Sequence, residues 1–185
     1  MIIIGIDPGT LITGYGVIES VPQKLRMLKN GIIRNTSSVP QAERLAHIFE
    51  TLCEVITQTR PDHFAIETAF FHKNVQSALK IGQARGVALL AGATFHLPIE
   101  EYSPREIKKA VVGNGAASKK QVQFMMMQLF RINTKPKFFD QSDALAVAVC
   151  HAFKVSRSST KYRDWQEFIA ANPDRVLPAV KRTLS

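Results

Sequence analysis

The chain has 185 residues, 45% of them hydrophobic, with 24 Lys and Arg against 15 Asp and Glu and a formal net charge of +9. That length, without a Ser/Gly/Pro-rich linker, suits a single core burying roughly 70% of the surface of the unfolded chain, and two widely separated cysteines, Cys53 and Cys150, exclude a disulfide framework and read as buried thiols in a reducing compartment. The opening isoleucines are broken by Gly5 and Asp7 too early for a signal peptide and no later apolar run is long enough to span a bilayer, so the expectation is a soluble cytoplasmic protein without a membrane partner.

In chain order, "MIIIGI" is a first strand, and "TGYGVIES" and "RMLKNGIIR" are two more, joined through "VPQK" as a meander of antiparallel hairpins. Leu45, Ile48, Phe49, Leu52 and Ile56 then recur at helical spacing in a polar stretch and predict a helix that covers the sheet. "PDHFAIET" is a short fourth strand after Pro61. "NVQSALKIGQARGVALLAGATFH", residues 74–96, is a long helix thinned on one side by Ala78, Gly82, Gly86 and Gly92. "LPIEEYS" is the fifth strand, a short helix runs from Pro104 through Val112, another follows Ser118 to about Phe130, and a last helix begins near Asp140 and runs to about Lys154. Three meandering strands, then strand, helix, strand and helices, predict an α/β fold with a mixed five-stranded sheet flanked by helices.

Four acidic residues fall at particular places on this map. Asp7 closes the first strand, Glu67 closes the fourth, and Asp140 and Asp143 open the last helix at i, i+3 spacing, on one face. Each has a local alternative: Asp7 before Pro8-Gly9 as an Asx-turn residue, Glu67 as a solvated strand end, Asp140 as an N-cap with Asp143 favoured by the helix dipole. Taken together they suit a hard divalent cation, which needs several oxygen ligands converging from separate elements. The helix that Asp140 opens continues "ALAVAVCHAF", apolar nearly all round, so its first turn points into the protein. Paired acids there are costly without a cation. His151, two or more turns further on, reads as a packing or solvent-facing residue rather than a ligand.

The positive charge is local. Residues 105–137 hold eight Lys and Arg against Glu106 alone, whereas residues 1–104 hold nine of each sign. A basic segment beside an acidic point suggests a polyanion held next to a metal site, against the plainer reading of a solvated helical face. Ser118 with Gln121 forms a capping box that puts Lys119 and Lys120 in the first helical turn, where cations are ordinarily disfavoured and where helix-start N–H groups and lysines make a phosphate site. "VVGNGAA" just before it can flex to let the backbone approach. Val122, Met125, Met126, Leu129 and Phe130 repeat at helical spacing and are expected in the core. Of the adjacent pair Phe70 and Phe71, one is expected in the core, leaving the other free to stack on an unpaired base.

"GIDPGTLITGYGVI", "FAIETAFFHKNVQSALKIGQARG", "EYSPREIKKAVVGNGAASKKQVQ" and "DQSDALAVAVCHA" together resemble, in order and spacing, the RuvC-type Holliday-junction resolvases, bacterial crossover-junction endodeoxyribonucleases with a ribonuclease-H-like fold. The resemblance covers about residues 1–154. It implies a homodimer that binds a four-way DNA junction and makes paired symmetrical nicks with magnesium, manganese being a substitute, in recombination and repair in the bacterial cytoplasm. It also implies a partnership with the RuvA-RuvB branch-migration complex. The family's four catalytic carboxylates fall on Asp7, Glu67, Asp140 and Asp143, its two functional lysines on Lys108 and Lys119, and its junction-facing aromatic on Phe70; Lys120 is expected to contact DNA as well. The expected organisation is a nuclease domain over residues 1–155 and a tail, 156–185, without an assigned role.

Phosphodiester hydrolysis by two ions about 3.5 to 4 Å apart suits these acids: Asp7, on the central strand, would bridge both ions, Glu67 would complete one site, and Asp140 with Asp143 the other. All-oxygen ligands favour magnesium over zinc. Two other readings share the fold: a ribonuclease-H-like nuclease with another nucleic-acid substrate, and an actin-like phosphate-binding lobe. The latter needs two such lobes where this chain is about one lobe long. A DNA-binding protein without activity would leave the four acids unused.

Overall fold

A computed structural model describes residues 1–22, 24–68, 75–132 and 139–158. The elements are β1 (Ile2–Asp7), β2 (Ile12–Val21), β3 (Lys24–Arg34), α1 (Gln41–Thr59), β4 (His63–Glu67), α2 (Val75–Thr94), β5 (Ile99–Tyr102), α3 (Pro104–Val112), α4 (Lys119–Phe130) and α5 (Phe139–Ser158). The strands form one sheet in the order β3-β2-β1-β4-β5, with β1 at its centre. β1 and β2, and β2 and β3, pair antiparallel; β4 runs parallel to both β1 and β5. This is the α/β architecture that the element order predicts. A first compact unit spans Met1–Phe153, and of the second, Lys154–Ser185, only residues 154–158 at the end of α5 are described.

Alternation along β1 divides the core in two. Ile4 and Ile6 point to one face, where they meet Val17, Ile33 and the buried stripes of α1 (Ile48, Leu52, Val55, Ile56) and α2 (Ala84, Ala88, Ala91). Ile3 points to the other, with Ile18, Ala65, Ile107 and Val111 of α3, Val122 and Met126 of α4, and the run 145–150 of α5. Each fully buried Ile or Leu contributes about 1.5–3 kcal/mol relative to exposure. The buried residues of α5 are mostly Ala and Val, which lets that helix lie deep in the fold.

Several local expectations change. α5 begins at Phe139, which puts Asp140 inside the first turn rather than at the N-cap. On α4, Val122 and Met126 are buried, but Met125 and Leu129 are exposed: the buried stripe is narrower than the apolar pattern, and the excess lies at the surface. The small residues of α2 do not share one role. A Cβ on Gly92 would press on Phe64 and Ile99, whereas Gly82 and Gly86 have nothing within 4 Å of that position. Cys150 is buried and Cys53 only partly so. No described helix is long and apolar enough to cross a membrane.

Candidate active site

The carboxyl ends of β1 and β4 lie side by side, because Ile6 of β1 is in register with Ile66 of β4. The next residue of each strand is the acid, and alternation turns Asp7 and Glu67 to the face covered by α5. Ligand sites in parallel α/β sheets sit outside such strand ends. The turn after β1 is closed by Thr13, fully buried, whose hydroxyl donates to Gly9 O at 2.5 Å and accepts from Gly9 N at 3.3 Å.

Three glycines bring α5 to these strand ends. Gly5 and Gly16 are cross-strand partners, and Gly14 is paired with Asp7 itself. A Cβ on Gly5 would lie 2.6 Å from Ala148 N and 2.9 Å from Ala148 Cβ; on Gly16, 2.9 Å from Leu145 N; on Gly14, 2.7 Å from the carbonyl carbon of Asp140. The backbone of α5 therefore rests on bare strand backbone, and its first turn sits over the strand position opposite Asp7. Sequence reading places the four acids but misses this arrangement. Its signal is present in "TGYG", where glycines at i, i+2 face one side, together with Gly5 and an Ala-rich helix that needs such a floor.

Burial and neighbouring charge raise three of the acids, Asp7, Glu67 and Asp143. Burial, then Glu67, Asp143 and Asp140, push the Asp7 carboxyl well above the usual carboxylate range, with Lys119 opposing. Burial and Asp143 push Glu67 up to about 7, against Lys119 and Lys108. Burial also raises Asp143, although its hydrogen bond and ion pair with Lys119 pull the other way. Burial would lower Lys119, but the hydrogen bond to Asp143 and the charges of Asp143, Asp7 and Asp140 outweigh it and hold the ammonium above its ordinary value. The Lys119 Nζ to Asp143 Oδ2 distance is 2.7 Å.

The basic rim is built by two capped helix starts. Ser103 and Glu106 form a capping box ahead of α3, which carries Lys108, and Ser118 with Gln121 forms the box expected ahead of α4. Gly113 closes α3 in the left-handed region at φ 81°. A cleft of about 210 Å³ is lined by Glu67, Pro104, Ile107, Lys108, Lys119, Val122 and Asp143. Lys120 is exposed and does not line the cleft. Phe70, with Phe71, lies outside the described residues.

The donor set fits a hard divalent cation by its chemistry: it offers carboxylate oxygens, and Asp7, Glu67 and Asp143 are held above their normal range first by burial and then by neighbouring acids, a cost a cation would relieve. Among the described residues no three His, Cys, Asp or Glu side chains already stand as a group that could hold an ion. One oxygen of Asp143 is instead taken by Lys119. His151 is not near this set. It is buried 49 residues beyond Tyr102, whose hydroxyl lies 2.7 Å from its Nδ1, and its Nε2 lies 3.0 Å from His63 Nδ1.

The chain is similar to known proteins in sequence and in fold. The family model described as Crossover junction endodeoxyribonuclease RuvC matches residues 3–151. The crossover junction endodeoxyribonuclease RuvC of Photobacterium profundum is 54% identical over 151 residues, 82% of this chain and 86% of that protein. That of Pelotomaculum thermopropionicum is 48% identical over 152 residues, 82% of this chain and 93% of that protein. The solved structure of Thermus thermophilus RuvC in complex with Holliday junction substrate aligns with a TM-score of 0.80 at 32% identity, over 86% of this chain and 97% of that one. The yeast mitochondrial Holliday junction resolvase Ydc2 shares the fold, with a TM-score of 0.59 at 13% identity over 84% of this chain and 83% of that one.

Proposed function

The chain belongs to the RuvC family of crossover junction endodeoxyribonucleases, and on that premise we propose that it resolves four-way DNA junctions by paired, metal-dependent nicks made at Asp7, Glu67, Asp140 and Asp143. One observation carries the assignment of the site: Asp7, Glu67 and Asp143, from β1, β4 and α5, are all raised by burial and by neighbouring acids, with Asp140 adding its charge to Asp7 and Asp143, beside a cleft rimmed by Lys108 and Lys119. Isolated turn, cap or surface roles for the four would not bring them within that range.

The family is one of metal-dependent nucleases, and magnesium, two ions per site, is our reading of this donor set. When bound, it supplies an activated water and neutralises charge on the phosphoryl oxygens. Asp7, on the central strand, would serve both ions, Glu67 would complete one site, and Asp140 with Asp143 the other. Glu67, raised to about 7, must lose its proton to take part. Lys119, bonded to Asp143, would be free to turn to the scissile phosphate when that carboxylate holds metal. Its position at the start of α4 adds backbone N–H groups aimed at the same anion. Lys108 holds phosphate at the rim, Lys120 makes a general backbone contact, and Phe70 is assigned to stack on a base exposed at the branch point.

Two nicks related by symmetry need two sites, which a homodimer supplies. α2 carries an outward stripe for it: Val75, Leu79 and Leu90 are 71%, 63% and 57% exposed, and Gly82 and Gly86, between them at helical spacing, face open space. Residues 1–155 form the nuclease domain of this reading, in the bacterial cytoplasm and in partnership with the RuvA-RuvB branch-migration complex. The test is a panel of four-way junction, duplex, flap and RNA–DNA hybrid substrates in magnesium. The reading requires symmetrical nicks in the junction well above the others; preference for the hybrid would reassign the chain to another nuclease of the same fold.

A further inference from the structure

Where α5 lies on Gly5, Gly14 and Gly16, the helix contributes backbone, the Cβ atoms of Ala144 and Ala148, and one large side chain, Leu145. Such a surface brings the helix close but offers few side-chain ridges to lock it against sliding along its axis. A slip of one residue would carry Asp140 and Asp143 about 1.5 Å past Asp7 and Glu67. Directional bonds in an apolar setting can fix what smooth packing leaves free, because breaking them strands buried polar groups.

One chain of such bonds exists behind the carboxylates. Tyr102, 3% exposed, ends β5 in register with Glu67, and its carbonyl accepts from Thr68 N at 2.8 Å, pinning the strand just past that acid. On the face turned to α5, the Tyr102 hydroxyl lies 2.7 Å from Nδ1 of His151, which is 1% exposed. His151 stands eight residues after Asp143 on α5, about 12 Å along the helix axis. Its Nε2 lies 3.0 Å from Nδ1 of half-buried His63, which opens β4 on the same strand face as Glu67. With the imidazole proton of His151 on Nε2, the phenol donates to His151 and His151 donates to His63 in one continuous direction. The helix bearing Asp140 and Asp143 is thereby tied to both ends of the strand that bears Glu67.

We propose that Tyr102, His151 and His63 are positioning residues that set the axial register of α5 and so align the two halves of the carboxylate centre. The inference rests on the reading of those acids as metal ligands. It requires no contact between the three residues and DNA or metal.

The test uses the full chain and separates assembly of the centre from folding and from DNA affinity. Tyr102→Phe removes the hydroxyl and keeps the ring and carbonyl; His63→Asn keeps an acceptor near the position of Nδ1; His63→Leu removes it. Manganese affinity without DNA is read by electron paramagnetic resonance, junction affinity without metal by mobility shift, cleavage by single-turnover rate across magnesium concentrations, and folding by thermal unfolding. Tyr102→Phe and His63→Leu should bind manganese several-fold more weakly and cleave about tenfold more slowly, with unchanged junction affinity, while His63→Asn behaves as wild type. Wild-type manganese affinity and rate in folded Tyr102→Phe, or equal behaviour of the two His63 variants, would overturn the proposal. If Tyr102→Phe does not fold, the pair at the half-buried His63 decides alone. Should the wild type cut no junction yet show this pattern in manganese affinity, the nuclease reading fails and the positioning role stands.

Discussion

Adding a single methyl group at Gly14 should disable the enzyme without touching any acid. The new Cβ would lie 2.7 Å from the carbonyl carbon of Asp140, nearer still to its oxygen, and 3.3 Å from Ala144 Cβ. Carbon atoms in contact prefer about 3.5–4.0 Å, so the first turn of α5 must lift off β2 by about 0.8 Å or more. Nothing at the contact is the yielding end of a long side chain; both partners are backbone or Cβ. Since Gly14 is paired with Asp7, the lift opens the gap between Asp7 and the pair on α5 directly. Overpacking of this kind costs about 1–3 kcal/mol, offset by about 0.5–1 kcal/mol from replacing glycine in a strand, so Gly14→Ala should still fold. Misplacement approaching 1 Å at reacting groups costs on the order of 100-fold in rate. The assay is single-turnover nicking of a four-way junction in saturating magnesium, beside junction binding without metal and thermal unfolding. Nicking within a few-fold of wild type, in a variant that unfolds at the same temperature, would refute the idea that this floor aligns the acids.

Asp7→Asn should abolish nicking while junction binding stays equal or becomes tighter, because a buried carboxylate that repels phosphate is removed; near wild-type cleavage in magnesium contradicts its role. Lys119→Ala should lower the cleavage rate more than affinity, whereas Lys120→Ala should flatten the salt dependence of binding by a slope of about 1; equal effects of the two on both quantities would erase the distinction. Glu67 has a folded value of about 7 against an ordinary 4.5, so its contribution to stability is present below pH about 4.5 and is lost as pH rises through about 7. Thermal unfolding of metal-free protein should show that loss, and Glu67→Gln should lessen it, Asp7 and Asp143, also raised, supplying the remainder; an unchanged profile in Glu67→Gln counts against the shift. Gly86→Leu should shift micromolar protein from dimer to monomer in sedimentation, and a concerted double cut by a monomer would sink the account of symmetry.

The acids were legible because their chemistry conflicts with their setting: a charge at the end of "MIIIGI" or in front of "ALAVAVCHAF" needs an explanation that periodicity itself supplies. The capping box at Ser118 was equally local and equally readable. What escaped depends on which element covers which. Gly5, Gly14 and Gly16 look like ordinary strand positions until α5 is laid on them. Met125 and Leu129 carry the apolar spacing of a core stripe, yet the helix has more apolar surface than its neighbours cover. The glycines of α2 form one sequence pattern and two environments, sheet and open space. His151 was readable as a packing residue, but its tie to Tyr102 and His63 spans three elements that only tertiary structure joins.

The central place of β1 in the sheet also bears on how the protein comes to be active. Its antiparallel partner β2 follows almost at once, but its parallel partner β4 begins at His63, and the helix that completes the site begins at Phe139. The centre thus joins residues 7, 67, 119 and 143, and closing such separations is the slow part of folding for chains rich in distant contacts. The hairpins of the meander can form early and locally; the catalytic centre cannot exist until the last long loop has closed. On refolding from denaturant, nuclease activity should therefore return with the slowest structural phase, and a nascent chain still short of residue 143 lacks one of the acids proposed for the site.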